Sequence, residues 1–172
     1  MDSKKRREDM MEILKEAKAP IAGTTLAGML CVSRQVIVQD IALLRATNKN
    51  IMSTNKGYLL FDKEQGKVGV RRVFSVKHLD SEMGDELNAI VDQGAKVLDV
   101  IVEHEVYGQI SVDLYMTCRS DVEDFLKALS QANSKPLKIL TSNRHYHTVE
   151  AENERIIAKV ESALLAGGYL IS

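Results

Sequence analysis

The chain has 172 residues, of which 45% are hydrophobic and 27% charged, an ordinary balance for a soluble globular protein, and its length suits one medium domain or two small ones. No segment approaches the ~20 consecutive apolar residues of a membrane-spanning helix, and no apolar stretch follows the charged N-terminus as in a signal peptide, so we expect a cytoplasmic protein. Cys31 and Cys118 lie far apart and form no CxxC pair, which indicates reduced, partly buried thiols.

Charge is distributed unevenly along the chain. Residues 1–60 contain ten Lys/Arg against six Asp/Glu, a net charge of +4, whereas residues 61–172 contain thirteen against eighteen, a net charge of −5. A basic first third followed by an acidic remainder suggests two modules, the first of which faces a polyanion. The polar, glycine-punctuated segment FDKEQGKVG predicts a linker, so that the domains span residues 1–62 and 68–172.

The beginning of the chain has the pattern of two helices and a turn. Apolar residues recur at helical spacing over about residues 3–18, which predicts a first helix that Pro20 ends. Gly23-Thr24-Thr25 can open a short second helix, and Cys31-Val32 can then form a tight turn.

A third helix and a hairpin follow the turn. Ser33 is a good N-cap for a helix that continues to about Ala46. At about 100° per residue, the helix has an apolar stripe of Ile37, Ile41 and Leu44, with Gln35, Gln39 and Ala42 on the opposite face. Two β-prone runs around Asn55-Lys56-Gly57 predict a hairpin. This order of elements is typical of a winged helix-turn-helix.

Such a domain presents the third helix to the major groove of DNA, where polar side chains at its N-terminal end reach base edges. The candidate base contacts are Arg34 to guanine and Gln35 or Gln39 to adenine, and the candidate phosphate contacts are Thr24, Thr25, Ser33 and Lys56. The alternative is a three-helix scaffold whose glutamines form only a solvated face. The turn, N-cap, polar face and hairpin occur in order with positive local charge, which favours operator DNA as a partner.

The remainder of the chain predicts an α+β module. The segments in order are a strand (VRRVFSVKH), a helix (LDSEMGDELNAIVDQG), two strands (AKVLDVIVEHEVYG and QISVDLYMT), a helix opened by a capping box at Ser120–Glu123, two short strands (PLKIL and HYHTVEA) and a closing helix (NERIIAKVESALLAG). We therefore expect helices against one face of a mostly antiparallel sheet.

Two histidines in the last predicted strand suggest a metal site. Residues two apart in a strand project to the same face, so His145 and His147 point the same way. Two neutral imidazoles can bind one cation, but two ligands seldom suffice. His78 ends the first strand of the module, where its side chain can lean out at the sheet edge.

The helix after His78 offers a carboxylate. Glu86 is the acidic residue of that helix nearest its apolar stripe, whereas Asp85 and Asp92 face away. A set of three histidines and one glutamate suits Zn²⁺, Ni²⁺, Fe²⁺ or Co²⁺. The alternative is a polar edge strand with a surface carboxylate. His104 follows the alternation of a buried strand and is equally compatible with a hydrogen-bonded core histidine and with a ligand.

Four segments together resemble a known family. LAGMLCVSRQVIVQDIALLR looks like its helix-turn-helix, and RRVFSVKH, DVIVEHEVYGQI and LTSNRHYHTVEA look like its three histidine-bearing motifs, in the expected order. The chain thus resembles niacin-responsive transcriptional repressors, which have a winged helix-turn-helix followed by a three-histidine domain. The resemblance covers nearly the whole chain. The helix-turn-helix is common to many repressors, whereas the three histidine motifs together are specific.

The resemblance implies a function for this chain. It implies that His78, Glu86, His145 and His147 hold a divalent transition metal ion, and that the domain senses nicotinic acid and represses genes of NAD synthesis or niacin uptake. The family often has proline after the histidine that corresponds to His104, where this chain has Glu105.

A mechanism follows as a hypothesis. Nicotinate could fill an open coordination position through its pyridine nitrogen, and its carboxylate would then need a cation or donor, for which His104, Tyr107 and Arg144 are the nearest candidates in sequence. Ligand binding would stabilise one placement of two DNA-binding modules across a homodimer on a palindromic operator.

Two rival functions stay open at this stage. One is a DNA-binding regulator whose effector is the metal ion itself, without an organic ligand. The other is a metallohydrolase with an added DNA-binding domain, because zinc enzymes also combine histidines with an open position. No further general-base or nucleophile motif accompanies the histidines, so we predict no catalytic residues and no enzyme.

Overall fold

In a computed structural model, the described residues are 2–47, 50–61 and 69–171. The chain divides into two compact units, Met1–Gly66 and Lys67–Ser172. Most of the predicted linker, residues 62–68, lies outside the described residues. No single helix of the described ranges is long and apolar enough to cross a membrane, although the bent pair Gly23–Met29 and Arg34–Thr47 would pass by length and composition alone.

The first unit contains the predicted helices and hairpin. Its elements are α1 (Ser3–Glu16), α2 (Gly23–Met29), α3 (Arg34–Thr47), β1 (Ile51–Thr54) and β2 (Gly57–Leu60). Its core is formed mainly by apolar side chains of the three helices, namely Met10, Leu14, Leu26, Ala27, Leu30, Ile37 and Ile41, with Ile51 from β1. The predicted helix-turn-helix is therefore confirmed, with α1 ending two residues earlier than expected.

The turn between α2 and α3 depends on local hydrogen bonds. Cys31 adopts a φ of 52°, and the Val32 amide donates to the Ala27 carbonyl at 3.0 Å, which ends α2 tightly. The Ser33 hydroxyl oxygen accepts a hydrogen bond from the Val36 amide at 3.3 Å, as an N-cap does. Cys31 is exposed, not partly buried as expected, because it lies in the turn outside the core.

The hairpin is antiparallel, and it also pairs with the chain before α2. Thr54 lies opposite Gly57, with a two-residue turn between them. Gly57 has a φ of 134°, and a Cβ there would collide with the Ile21 carbonyl. Ile21 and Tyr58 exchange backbone hydrogen bonds of 2.9 and 2.8 Å. The wing is thus fixed beside the start of α2.

Asp40 is a buried charge on α3 that the amphipathic pattern does not predict. Only 3% of it is exposed. Its carboxylate accepts hydrogen bonds from Arg6 at 2.6 Å and from Arg7 at 3.2 Å, both on α1. This pairing satisfies the carboxylate and joins α3 to α1.

The second unit is α+β, as predicted. Its elements are β3 (Val70–Lys77), a 3₁₀ turn (Asp80–Glu82), α4 (Met83–Val91), β4 (Lys96–His104), β5 (Gly108–Met116), α5 (Arg119–Gln131), a second 3₁₀ turn (Leu137–Thr141), β6 (Arg144–Ala151) and α6 (Glu154–Ala166). The four strands pair antiparallel in the order β3-β6-β4-β5. One apolar core joins the sheet to α4, α5 and α6.

Three local predictions are wrong in this unit. The segment PLKIL forms a 3₁₀ turn rather than a strand. The predicted capping box at Ser120 is not used, because α5 begins at Arg119, and the Asp121 carboxylate instead accepts hydrogen bonds from the Thr117 amide and hydroxyl at 2.7 and 2.8 Å. Cys118, at the N-cap of α5, is exposed rather than partly buried.

Candidate functional site

The register between β3 and β6 brings three histidines together. His145 and His147 lie opposite Val76 and Phe74, on the face that packs against the helices. His78 follows the last residue of β3. The three residues are 2–5% exposed, and the ring centroid of His145 lies 4.9 Å from those of both His78 and His147. Strand alternation thus places His145 and His147 on one face, and the pairing of β3 with β6 brings His78 beside them.

Glu86 extends from α4 into this cluster. The residue is 0% exposed, and one carboxylate oxygen, Oε2, lies 3.8 Å from Nε2 of His78 and 3.6 Å from Nε2 of His147. The same helix buries Met83, Leu87, Ile90 and Val91 in the core. Glu86 therefore lies on the inward side of α4, as the sequence predicts.

Backbone carbonyls orient each imidazole. Nδ1 of His78, His145 and His147 lies 2.8, 3.0 and 2.7 Å from the carbonyl oxygens of Leu79, Asn143 and Asp99, respectively. A carbonyl can only accept, so each Nδ1 carries the hydrogen and each Nε2 keeps a lone pair. Fixing one ring nitrogen to a carbonyl is the usual arrangement for metal-ligating histidines.

Asp99 supports His147 through two groups. Its carbonyl accepts the hydrogen bond from the ring, and its carboxylate accepts one from the Thr148 amide at 2.9 Å. The pairing of β4 is irregular between Val97 and Asp99, which is typical of a β-bulge. This bulge could not be read from the sequence pattern.

Burial determines the protonation states in the cluster. It lowers the pKa of His145 to about 3 and that of His147 to about 4, and it also lowers the pKa of His78. Burial raises the pKa of Glu86 to about 8. At neutral pH the histidines are therefore neutral, as metal ligands must be, and without a cation Glu86 retains its proton.

The cluster leaves polar atoms unsatisfied. Among the described residues, Nε2 of His78 and both carboxylate oxygens of Glu86 have no hydrogen-bond partner. Buried orphan atoms are costly, so they call for an explanation such as an ion. Ligand atoms of His78, Glu86 and His145 all lie within 4.8 Å of one another, and His147 adjoins them through Glu86. This group could hold a metal ion.

A largely apolar cavity of about 160 Å³ borders the histidines. An apolar cavity of roughly 150 Å³ can hold benzene, so this one has room for a single aromatic ring. Its walls come from the end of β3, the start of α4, the strands β4, β5 and β6, the helix α5 and the second 3₁₀ turn. They comprise His78, Met83, Leu87, Val100, Val112, Leu114, Phe125, Leu129, Pro136, Leu137, Lys138, His145 and His147.

Lys138 is a residue of this wall that sequence reasoning missed. It is only 2% exposed. Its ammonium donates to Oδ1 of Asp80 at 2.6 Å, to the His78 carbonyl at 3.0 Å and to Oδ1 of Asn143 at 3.1 Å. The unpredicted 3₁₀ turn aims this side chain inward, and nothing in the PLKIL pattern signals it.

The ligand-binding residues suggested by sequence proximity lie elsewhere. His104 and Arg144 line a separate cavity of about 530 Å³, and Tyr107 is 79% exposed. Nδ1 of His104 accepts hydrogen bonds from the amides of Val106 and Tyr107 at 3.1 and 3.2 Å. Arg144 precedes His145 in β6, so alternation directs it to the opposite face of the sheet. These three residues do not line the histidine cavity.

In the first unit, most of the predicted DNA contacts are accessible, and three of them line one groove. Arg34, Gln35 and Gln39 are exposed on α3, and Thr24 and Thr25 are exposed on α2. Arg34, Thr24 and Lys56 line a common groove of about 240 Å³ between α2 and the hairpin. The Ser33 oxygen already caps α3, which leaves its hydroxyl hydrogen for a phosphate.

One further exposed residue of α3 was not predicted. Val38 is 41% exposed on α3, one turn after Gln35 and on the side of it away from Gln39. An apolar side chain at this position suits contact with a thymine methyl group. Its spacing of three residues from Gln35 on the predicted helix was the available signal.

Comparison with known proteins agrees with both units. The family model described as an HTH domain matches residues 6–59, and the one described as a 3H domain matches residues 71–172. The chain is 40% identical over 166 residues to a probable transcription repressor, NiaR, of Thermotoga maritima, and 39% identical over 167 residues to the transcription repressor NadR of Bacillus subtilis. Each alignment covers 96% of this chain and 93% of the relative.

The chain belongs to this family of transcription repressors. The resemblance inferred from the histidine motifs is thereby confirmed, as is the order of a DNA-binding HTH domain followed by a 3H domain. The repressor function of the relatives points to a regulator rather than an enzyme.

The cluster predicts an unusual pH dependence for the metal-free protein. Because the folded state retains the Glu86 proton up to about pH 8, against an ordinary pKa of 4.5, stability falls as pH rises between these values. Because the histidine pKa values lie below 6.5 in the folded state, stability also falls as pH drops from 6.5 towards 3–4. Below pH 6.5 the effect of two or more histidines on the free energy of unfolding exceeds that of one glutamate. The contribution of this cluster to stability is therefore greatest near pH 6.5.

Urea unfolding of chelator-treated protein checks this. We expect the free energy of unfolding to fall by roughly 1–2 kcal/mol between pH 6.5 and 8. Glu86→Gln should abolish this decrease because the amide does not titrate. Glu123→Gln, at an exposed position on α5, is the matched control. If Glu86→Gln lost the same stability between pH 6.5 and 8 as the unmodified protein, the decrease could not be assigned to Glu86.

Proposed function

We propose that this repressor is a cytoplasmic homodimer that binds operator DNA with nicotinic acid as co-repressor and controls genes of NAD synthesis or niacin uptake. The observation that carries the proposal is the histidine cluster with its unsatisfied Glu86 beside a cavity of one-ring size. A metal-ligand set next to an apolar pocket suits a small aromatic ligand that has one donor atom. The identity to repressors named NiaR and NadR supports the DNA-binding part.

His78, Glu86, His145 and His147 would hold the divalent ion, which is Zn²⁺, Ni²⁺, Fe²⁺ or Co²⁺ by the chemistry of the donor set. When bound, such an ion supplies an open coordination position that a pyridine nitrogen can fill. The chain's own contribution is to hold three neutral imidazoles by their Nδ1 hydrogens and to exclude water with the apolar wall.

To change operator affinity, the ligand must bind one arrangement of the dimer more tightly than the other. A co-repressor that binds both arrangements of a dimer equally would shift nothing, so its binding energy has to favour the arrangement that matches a palindromic operator. Arg34, Gln35 and Gln39 would contact bases, and Thr24, Thr25, Ser33 and Lys56 would contact phosphates. The alternative is a metal-responsive regulator without an organic ligand, because the histidine cluster by itself would let a metal ion change operator affinity.

Metal affinity should rise with pH because of Glu86. The ion must displace the Glu86 proton, whereas the histidines are already neutral, so affinity should rise about tenfold per pH unit between pH 6 and 8. Competition titrations with a chromophoric chelator measure this slope. Glu86→Gln should bind more weakly with a flat profile, and Glu123→Gln should behave as the unmodified protein does. A slope near two would instead show that the histidines titrate.

Operator titrations separate the two functions. With metal-loaded protein, nicotinic acid should raise operator affinity by roughly 5–150-fold, the usual range of allosteric coupling, and nicotinamide should do so less. Chelated protein should not respond to either compound. Full operator affinity with metal alone, unchanged by nicotinic acid, would establish the metal-responsive alternative.

A single substitution tests how α3 recognises its operator. Gln35→Ala should weaken binding to operator DNA by about 1–3 kcal/mol and leave binding to random DNA nearly unchanged, because the lost contact is to a base. Gln131→Ala, at an exposed glutamine in the last turn of α5, is the control. Fluorescence anisotropy at fixed salt measures both affinities. An equal loss on random DNA would assign Gln35 to the phosphates.

A further inference from the structure

The cavity beside the histidines has a buried cation in its wall. Among the described residues that line this cavity, Lys138 is the only lysine or arginine, and apart from the three histidines the rest of the lining is apolar. Lys138 is 2% exposed, so its ammonium is removed from bulk water. Buried ammonium groups are costly unless an anion pairs with them.

We infer that Lys138 selects an aromatic monocarboxylate for this cavity, with the ligand carboxylate replacing Asp80 on the Lys138 ammonium. The inference rests on the proposed function only for the location of the ligand site. It adds the residue and the contact that would distinguish an acid from a neutral compound.

The three partners of the ammonium differ in how readily they can leave. An ammonium has three hydrogens to donate, and here they go to Asp80, to the His78 carbonyl and to the Asn143 side chain. The His78 carbonyl belongs to the backbone beside the metal cluster, and the Asn143 side chain is half-buried. Asp80 is a side chain that is 57% exposed. Because more than half of its side chain is already solvated, it is the partner that another carboxylate could replace most readily.

Charge makes this exchange selective. When one carboxylate replaces another, the buried ammonium keeps an anionic partner and the released Asp80 is solvated. When a neutral amide replaces Asp80, the buried ammonium loses its anion, which carries a large penalty. A neutral compound must therefore bind without displacing Asp80 and without contacting the Lys138 ammonium. The pair Asp80–Lys138 thus favours acids and disfavours their amides.

The test is calorimetry on the metal-loaded full chain with nicotinic acid, nicotinamide, benzoic acid and benzamide. Lys138→Met keeps an apolar stem and removes the charge, so the preference for each acid over its amide should fall by about 10–100-fold. Asp80→Asn removes the competing carboxylate, so both acids should bind more tightly. Lys135→Met, at an exposed lysine three residues earlier, is the matched control and should change neither.

The decisive result is that Lys138→Met weakens the preference for acids whereas Asp80→Asn strengthens acid binding. General destabilisation would instead weaken acid binding in both variants. An unchanged acid preference in Lys138→Met, or weaker acid binding in Asp80→Asn, would overturn the inference. The proposed function has a different readout, since operator affinity that ignores nicotinic acid would refute it. A Lys138-dependent preference for benzoic acid over benzamide would support the inference even then.

Discussion

Burial of the Glu86 carboxyl among three imidazoles is the constraint on which the second unit depends. A fully buried carboxyl with both oxygens unpaired is one of the more costly groups a fold can contain. Here α4 anchors it, because Met83, Leu87, Ile90 and Val91 bury the same side of the helix in the core. The apolar packing therefore stabilises an arrangement that Glu86 alone would oppose. Such a conflict between local cost and global fold is typical of functional sites.

The register between β3 and β6 is the second requirement. Because side chains alternate along a strand, a shift of one residue would turn His145 and His147 to the other face of the sheet. The pairing of Val76 with His145 and of Phe74 with His147 fixes that register through the apolar core. The same pairing brings the end of β3 near His145, so His78 joins the cluster. A core that is apolar at Phe74, Val76 and Val149 thus specifies a polar site within it.

Periodicity predicted those parts of the site that a single element determines. Strand alternation placed His145 and His147 on one face, and the helical stripe of α4 placed Glu86 inward. The same reasoning identified the exposed face of α3. It missed Lys138, because a 3₁₀ turn has no strong sequence pattern, and it missed the role of Asp99, because a β-bulge and a carbonyl contact with His147 arise only from the assembled sheet. Likewise, the partners of Asp40 lie on another helix. Contacts between elements are what the sequence pattern could not supply.

If the proposed function is right and a divalent ion is bound, the charges around the cavity favour an anionic ligand. Three neutral histidines, one ionised Glu86 and a divalent ion would carry a net charge of +1 in a buried site, and the pair of Lys138 with Asp80 adds none. An uncompensated buried charge is unfavourable, so an anion is preferred over a neutral analogue by the ion as well as by Lys138. The two contributions are separable, because the first disappears with chelation and the second with loss of the ammonium. A preference for acids that survives chelation but not the loss of Lys138 would therefore measure the contribution of the chain alone.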